Sequence, residues 1–238
     1  MKKKTMVICA VILLVSLLAF GGTLAYFNDT TDPITNTFTV GSVQIEQNEQ
    51  QHDETGALED FEQDQNLLPV VDPNAPESDE NYVEKLVTVT STGKNPAYVR
   101  THIALPTALV DVVTLDISDS ANWVQEAGTH TQDVQVGGKR VNFTIYSFTY
   151  TQELGKGETT DVLLEGVYMN ANVDMQDNNG VLQFCTWNDQ TQSYDFYDYD
   201  VTAKVYVLVA TQGVQSQGFA DAMSALDSAF PNVPDFNA

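Results

Sequence analysis

With 238 residues, 10 basic against 33 acidic side chains, a net charge of −23 and a sequence pI near 4.1, the chain repels polyanions. This excludes tight binding to nucleic acid or to an anionic membrane surface, and leaves cationic partners, divalent ions and cell-wall or matrix material open. The length suits one large domain with its own core.

The chain begins with three lysines, an apolar run from Met6 to Phe20 broken only by Ser16, and the small-residue exit Gly21 to Ala25. Such a run spans about 22 Å as a helix, short of a hydrocarbon core of about 30 Å. An uncleaved anchor would have to extend through Leu24 to Phe27. The favoured reading is a signal peptide, residues 1–25, cut between Ala25 and Tyr26, with Thr23 and Ala25 as the small residues a peptidase selects. Losing three leader lysines takes the net charge from −23 to −26. Cys9 leaves with the leader, so Cys185 has no intramolecular partner. Export without disulfides fits a Gram-positive surface, and Cys185 in LQFCTWND reads as a small buried hydrophobe.

Residues 26–238 read as one domain. From Thr5 to Glu84 there is no Lys or Arg, and residues 46–82 are rich in Glu, Gln, Asp, Asn and Pro with little apolar periodicity. That composition predicts a long acidic loop, tacked down by the apolar cluster Leu67 to Val71. After Glu84 the texture changes to alternation. KLVTVTSTG and AYVRTHIAL read as strands, PTALVDVV as a short turn or helix, and VQVGGKRVNFTIYSFTYTQEL as a hairpin around Gly-Gly. In its longer arm Val141, Phe143 and Ile145 share one parity while Phe148 and Tyr150 take the other, which predicts a β-bulge near Tyr146 and Ser147. LEGVYM and a long strand from Tyr194 to Ala210 follow. These elements predict an all-β fold, an antiparallel β-sandwich. Residues 218–230 predict an amphipathic C-terminal helix, with Phe219, Met223, Leu226 and Phe230 on one face.

Catalytic signals are sparse. His52, His102 and His130 have no metal-motif spacing, and His102 reads as a packed or rim residue of a strand. No G-x-S-x-G elbow, phosphate-binding loop or Cys/His cluster is present. VDMQDNNG lacks the ligand spacing of a calcium loop and reads as a turn. In YDFYDYD, Tyr197 and Tyr199 interleave with Asp195, Asp198 and Asp200. This is a candidate surface for a divalent ion such as calcium or for a glycan, and equally a solvated strand face with its aromatics tucked inward.

Several of these stretches resemble one family. GTLAYFNDTTDPITNTFTVGSVQIE is similar to the leader junction and first strand of the TasA and camelysin family, exported through SipW-type signal peptidases in Gram-positive bacteria. VEKLVTVTSTGKNPAYVRT, with Ser91 in place of the usual Asn, LGKGETTDVLLEGVYM and ATQGVQSQGFADAMSAL resemble its later strands, turns and helix in the same order. The acidic stretch 46–82 marks a divergent member. The resemblance implies a jelly-roll-like sandwich, secretion to the extracellular matrix or cell surface, and assembly into biofilm-type fibres with other matrix or cell-wall components as further partners. In that reading cleavage frees Tyr26 to Thr39, whose apolar pegs Phe27, Ile34, Phe38 and the adjoining Val40 plug a neighbouring subunit while its backbone completes a sheet edge. The rivals are a monomeric adhesin or glycan-binding sandwich and a camelysin-like metalloendopeptidase, although no zinc set is recognisable. The expectation is therefore a non-enzyme without a resident cofactor.

Overall fold

The computed structural model describes residues 28–30, 43–201 and 204–237. Its main sheet runs in the order β1, β15, β6, β10, with β1 at Asn28–Thr30, β15 at Leu208–Gln215, β6 at Ala97–Pro106 and β10 at Lys139–Tyr150. Two short partners share the far side of β10: β9 (His130–Val136) along its first half and β8 (Trp123–Gln125) at its end. All these pairings are antiparallel. Gly137 and Gly138, at φ +56° and +79°, turn β9 into β10, as the Gly-Gly signal predicts, because a type I′ turn needs two left-handed residues.

The second layer is organised around β5 (Leu86–Ser91). On one side lies β2 (Ile45–His52), with β3 (Leu58–Asp60) beyond it. On the other side the amides of Thr160 and Leu163 donate to the Val89 and Val87 carbonyls, leading into β11 (Leu164–Met169), which pairs with β4 (Val83–Glu84) and β7 (Val113–Ile117). Between the layers Ile45, Val87, Val89, Leu164 and Met169 meet Val99, Ile103, Leu105, Phe148 and Val209 in one buried cluster. The expected all-β, antiparallel sandwich is thus present. A third sheet, β12 (Val173–Asn178), β13 (Val181–Asn188) and β14 (Ser193–Asp200), leans Val173, Phe184, Tyr197 and Tyr199 on the same core.

The outer face of the main sheet is covered as well. Helix α1 (Ala222–Ala229) starts at Asp221, whose carboxylate accepts the Ser224 amide at 2.8 Å, a standard N-cap. Ala222, Ala225 and Leu226 bury against Val214 and Tyr98, with Phe219 and Phe230 at the ends; Met223 of the expected stripe is partly exposed. Beyond the helix, Val233 and Phe236 continue the cover over Phe143, Ile145 and Ala210.

Three boundaries differ from expectation. The acidic stretch 46–82 is not all loop: residues 46–52 belong to β2 and 58–60 to β3. Polar side chains on β2 find partners instead of needing burial. Asn48 donates to Thr90 at 3.0 Å, Gln47 to the Val209 carbonyl at 3.3 Å, and Glu49 pairs with the buried Lys85. From Phe61 onward an irregular strap remains, tacked by buried Val70, whose amide donates to the Met169 carbonyl. Second, β10 has no bulge at Tyr146 and Ser147, since its pairing with β6 runs in unbroken register from Phe143 to Thr149. Both parities carry apolar residues because both faces are covered. Third, the expected strand 194–210 is two strands in different sheets, β14 ending at Asp200 and β15 starting at Leu208. The connection is fastened by the Tyr199 hydroxyl on the Lys204 carbonyl and by a Lys204–Asp64 ion pair.

Candidate functional site

The first candidate is the edge of β15. One side of this strand pairs with β6 along its whole length, Leu208 opposite Ala104 to Gln215 opposite Ala97. The other side takes β1 over three residues: Asn28 opposite Val214, Asp29 opposite Gly213 and Thr30 opposite Gln212. Towards the start of the strand, the Gln47 side chain satisfies the Val209 carbonyl. At Gly213, opposite Asp29, the layers pack closely: a Cβ there would lie 2.9 Å from the Ile45 side chain of β2 and would force it to shift. β1 starts three residues after Ala25. The junction pair Ala25 and Tyr26 and the pegs Phe27, Ile34, Phe38 and Val40 lie outside the described residues.

The aromatic-acidic segment is divided by strand parity. Tyr197 and Tyr199 of β14 turn to the core and are half-buried, with the Thr186 and Tyr197 hydroxyls 3.0 Å apart. Burial, with smaller contributions from Tyr206 and Asp200, pushes the Tyr199 hydroxyl up to about 12. Asp195 shares their parity and accepts from Asn188 at 2.7 Å. Asp198 and Asp200 have the other parity, and Asp200 meets Lys139 at 3.1 Å. The five residues are therefore not brought to one face. The outward aromatics are Tyr194, Phe196 and, from the neighbouring strand, Trp187, which stands opposite Tyr194. Trp187 carried no signal in its own segment; only the cross-strand register reveals it. Cys185 is buried, and its thiol is pushed up by burial and then by Asp174.

A third constellation lies under α1. Arg100 of β6, nearly fully buried, donates to Thr149 at 3.0 Å and to Asp227 of the helix at 2.6 Å, and pairs with Glu126. His102 bridges Ser147 at 2.9 Å and Gln212 at 3.0 Å across three adjacent strands. Burial first, and Arg100 further, depress this imidazole to about 4, against the opposing Gln212 hydrogen bond, so it is neutral at pH 7. A cleft of about 330 Å³ opens over these groups between the sheet and Phe230–Val233. The Ser147–His102 contact has the spacing of an activated hydroxyl, yet both side chains are buried and the orienting group is an amide rather than a carboxylate. Its chemistry is that of a structural tie. Among the described residues no group of three or more His, Cys, Asp or Glu side chains is placed to hold a metal ion. His52 lies on the surface against Glu84 at 2.8 Å, and His130 is exposed.

Fold and edge together define an all-β, antiparallel protein whose main sheet accepts an added strand from its own N-terminal region. Residues 1–54 match the model of the family described as Camelysin metallo-endopeptidase, which supports a member of the TasA/camelysin family. No curated protein and no solved structure matches the chain.

Proposed function

We infer that the chain is an exported structural subunit of an extracellular matrix or cell surface, cut by a SipW-type signal peptidase between Ala25 and Tyr26. Subunits then join by strand addition. The observation that carries this reading is the antiparallel seat of Asn28–Thr30 on the open side of β15. A segment held there by main-chain hydrogen bonds within one subunit makes the same bonds with the β15 of another, since ladder bonds do not distinguish copies. The leader, while attached, ties that segment to the membrane; cleavage releases it. The pegs Phe27, Ile34, Phe38 and Val40 add specificity beyond the three paired residues. Subunits at −26 repel one another, so acid or calcium promotes assembly by reducing that repulsion. If this reading holds, residues 26–238 should form filaments visible by electron microscopy on acidification or calcium addition, and a chain starting at Gly41 should not. Equal assembly of both removes the strand-addition mechanism.

A second reading, metallo-endopeptidase activity, is favoured by the description of the matching family. Chelator-sensitive proteolysis by the purified chain, restored by zinc, is its test. The described residues offer it no cluster of three ligands.

A further inference from the structure

The sheet β12–β14 has one face against the core and, among the described residues, the other bare. On the bare face Trp187, Tyr194 and Phe196 form a row, with ring centroids 5.1 Å and 6.3 Å apart. They are 48%, 37% and 37% exposed, a large apolar surface for side chains that normally bury. Carboxylates surround the row. Asp174 and Asp198 share its strand parity, and Asp189 accepts the Trp187 indole N–H at 3.0 Å. Hydrogen bonds from the Gln176 side chain and the Met175 amide hold the Asp174 carboxyl below the usual range, so it stays charged. From Val173 to Asp200 there are six aspartates and not one Lys or Arg.

Such a face selects its occupant by charge. It repels uronic-acid, phosphate or sulfate polymers and attracts cations. Aromatic faces add attraction for ammonium groups and stack on the C–H face of a sugar ring. An apolar peptide anchor needs a desolvated pocket, whereas these rings are 37% to 48% exposed on the sheet surface. The amides of Gln176 and Gln183, opposite each other on the same face, supply donors and acceptors for hydroxyls.

We propose that the outward face of β12–β14 binds a polysaccharide bearing free amino groups, with Trp187, Tyr194 and Phe196 stacking the sugar rings and Asp174, Asp189 and Asp198 pairing with the ammonium groups. The site is independent of the β15 edge and operates in a single subunit. It would anchor the protein to a deacetylated hexosamine polymer.

The test is calorimetric titration of residues 26–238 with a β-1,4-linked glucosamine hexamer, its fully N-acetylated counterpart and hexalysine. The glucosamine hexamer binds saturably, and binding weakens as salt rises. Trp187→Ala and Asp198→Asn each weaken it at least tenfold with the circular dichroism spectrum unchanged. N-acetylation, which removes the charge, weakens it at least tenfold as well. If Trp187→Ala alters the fold, Phe196→Ala replaces it. Absence of binding, undiminished binding by the folded variants, or hexalysine binding as tightly and without dependence on Trp187 overturns the proposal.

Discussion

The main sheet and the β12–β14 sheet are built from similar alternating, aromatic-rich strands, yet they meet water differently. In β6 all but one residue is buried, because the second layer covers one face while α1 and the C-terminal tail cover the other. In β14 six of the eight residues are exposed, only Tyr197 and Tyr199 are half-buried, and none is fully buried. What distinguishes the two is cover supplied by distant segments, matched in the strands by apolar residues on both parities of β10 and by the six aspartates from Val173 to Asp200. The two proposals divide along the same line: strand addition uses the edge of the covered sheet, and polysaccharide binding uses the face of the other.

Truncation in the two sheets tests this contrast most strongly. Phe143 is fully buried on the outer face of β10, packed in a cluster with Val134, Ile145 and Phe236. Phe143→Ala should cost about 3–5 kcal/mol in urea unfolding. Loss of that much only in the inner layer, with Phe143→Ala nearly neutral, would mean that the tail does not cover this face.

The buried polar row beneath α1 comes next, through pH. His102 is held near 4 against an ordinary value near 6.5, so the unfolded chain takes up a proton in that interval and the native chain does not. Stability from this group is complete above pH 6.5 and lost as pH falls to 4, on the order of 3 kcal/mol. Asp53, Asp79, Asp161, Asp174 and Asp221 are lowered from an already low value by their hydrogen bonds, and their contribution is lost only below that window. Urea midpoints from pH 7 to 4 should therefore fall in wild type and fall less in His102→Gln.

Smaller effects follow. A Cβ at Gly166 of β11 would lie 2.2 Å from the Tyr82 ring, which is fixed by its hydroxyl donating to Asp116 at 2.8 Å, so Gly166→Ala should cost about 1–3 kcal/mol. Asp221→Ala removes the cap of α1 for about 1 kcal/mol. On the bare sheet Phe196→Ala should stay within roughly 0.5 kcal/mol, the ordinary range for surface changes. A large destabilisation there would show that β12–β14 is covered after all.

The comparison also explains what could be read from sequence. Local signals were legible: the Gly137-Gly138 hairpin, the amphipathic C-terminal helix and the alternation of β5 all depend on neighbours a few residues away. Asn179-Gly180, both with positive φ, forms the turn between β12 and β13 that VDMQDNNG announced as a turn without declaring a hairpin. Non-local matters were not legible. β2 looked too polar for a strand because its partners Thr90 and Lys85 come from about forty residues on. The parity conflict in β10 suggested a bulge because the covering tail, near Phe236, lies about ninety residues away. At the aromatic-acidic segment the composition was visible, but the division of Tyr197 and Tyr199 from Phe196, and the arrival of Trp187, depend on register across β13.

The central claim is that the segment of residues 26–40 completes the β15 edge, and peptide complementation tests it most directly. A labelled peptide of residues 26–40 is titrated by fluorescence anisotropy into a chain starting at Gly41. The account predicts saturable binding that protects from hydrogen exchange those amides of Gln212 to Val214 that point away from β6. Replacing Asp29 and Thr30 together by Pro, so that a ladder N–H is lost whichever way the strand is pleated, abolishes it. No binding, or equal binding by the double-proline peptide, contradicts it.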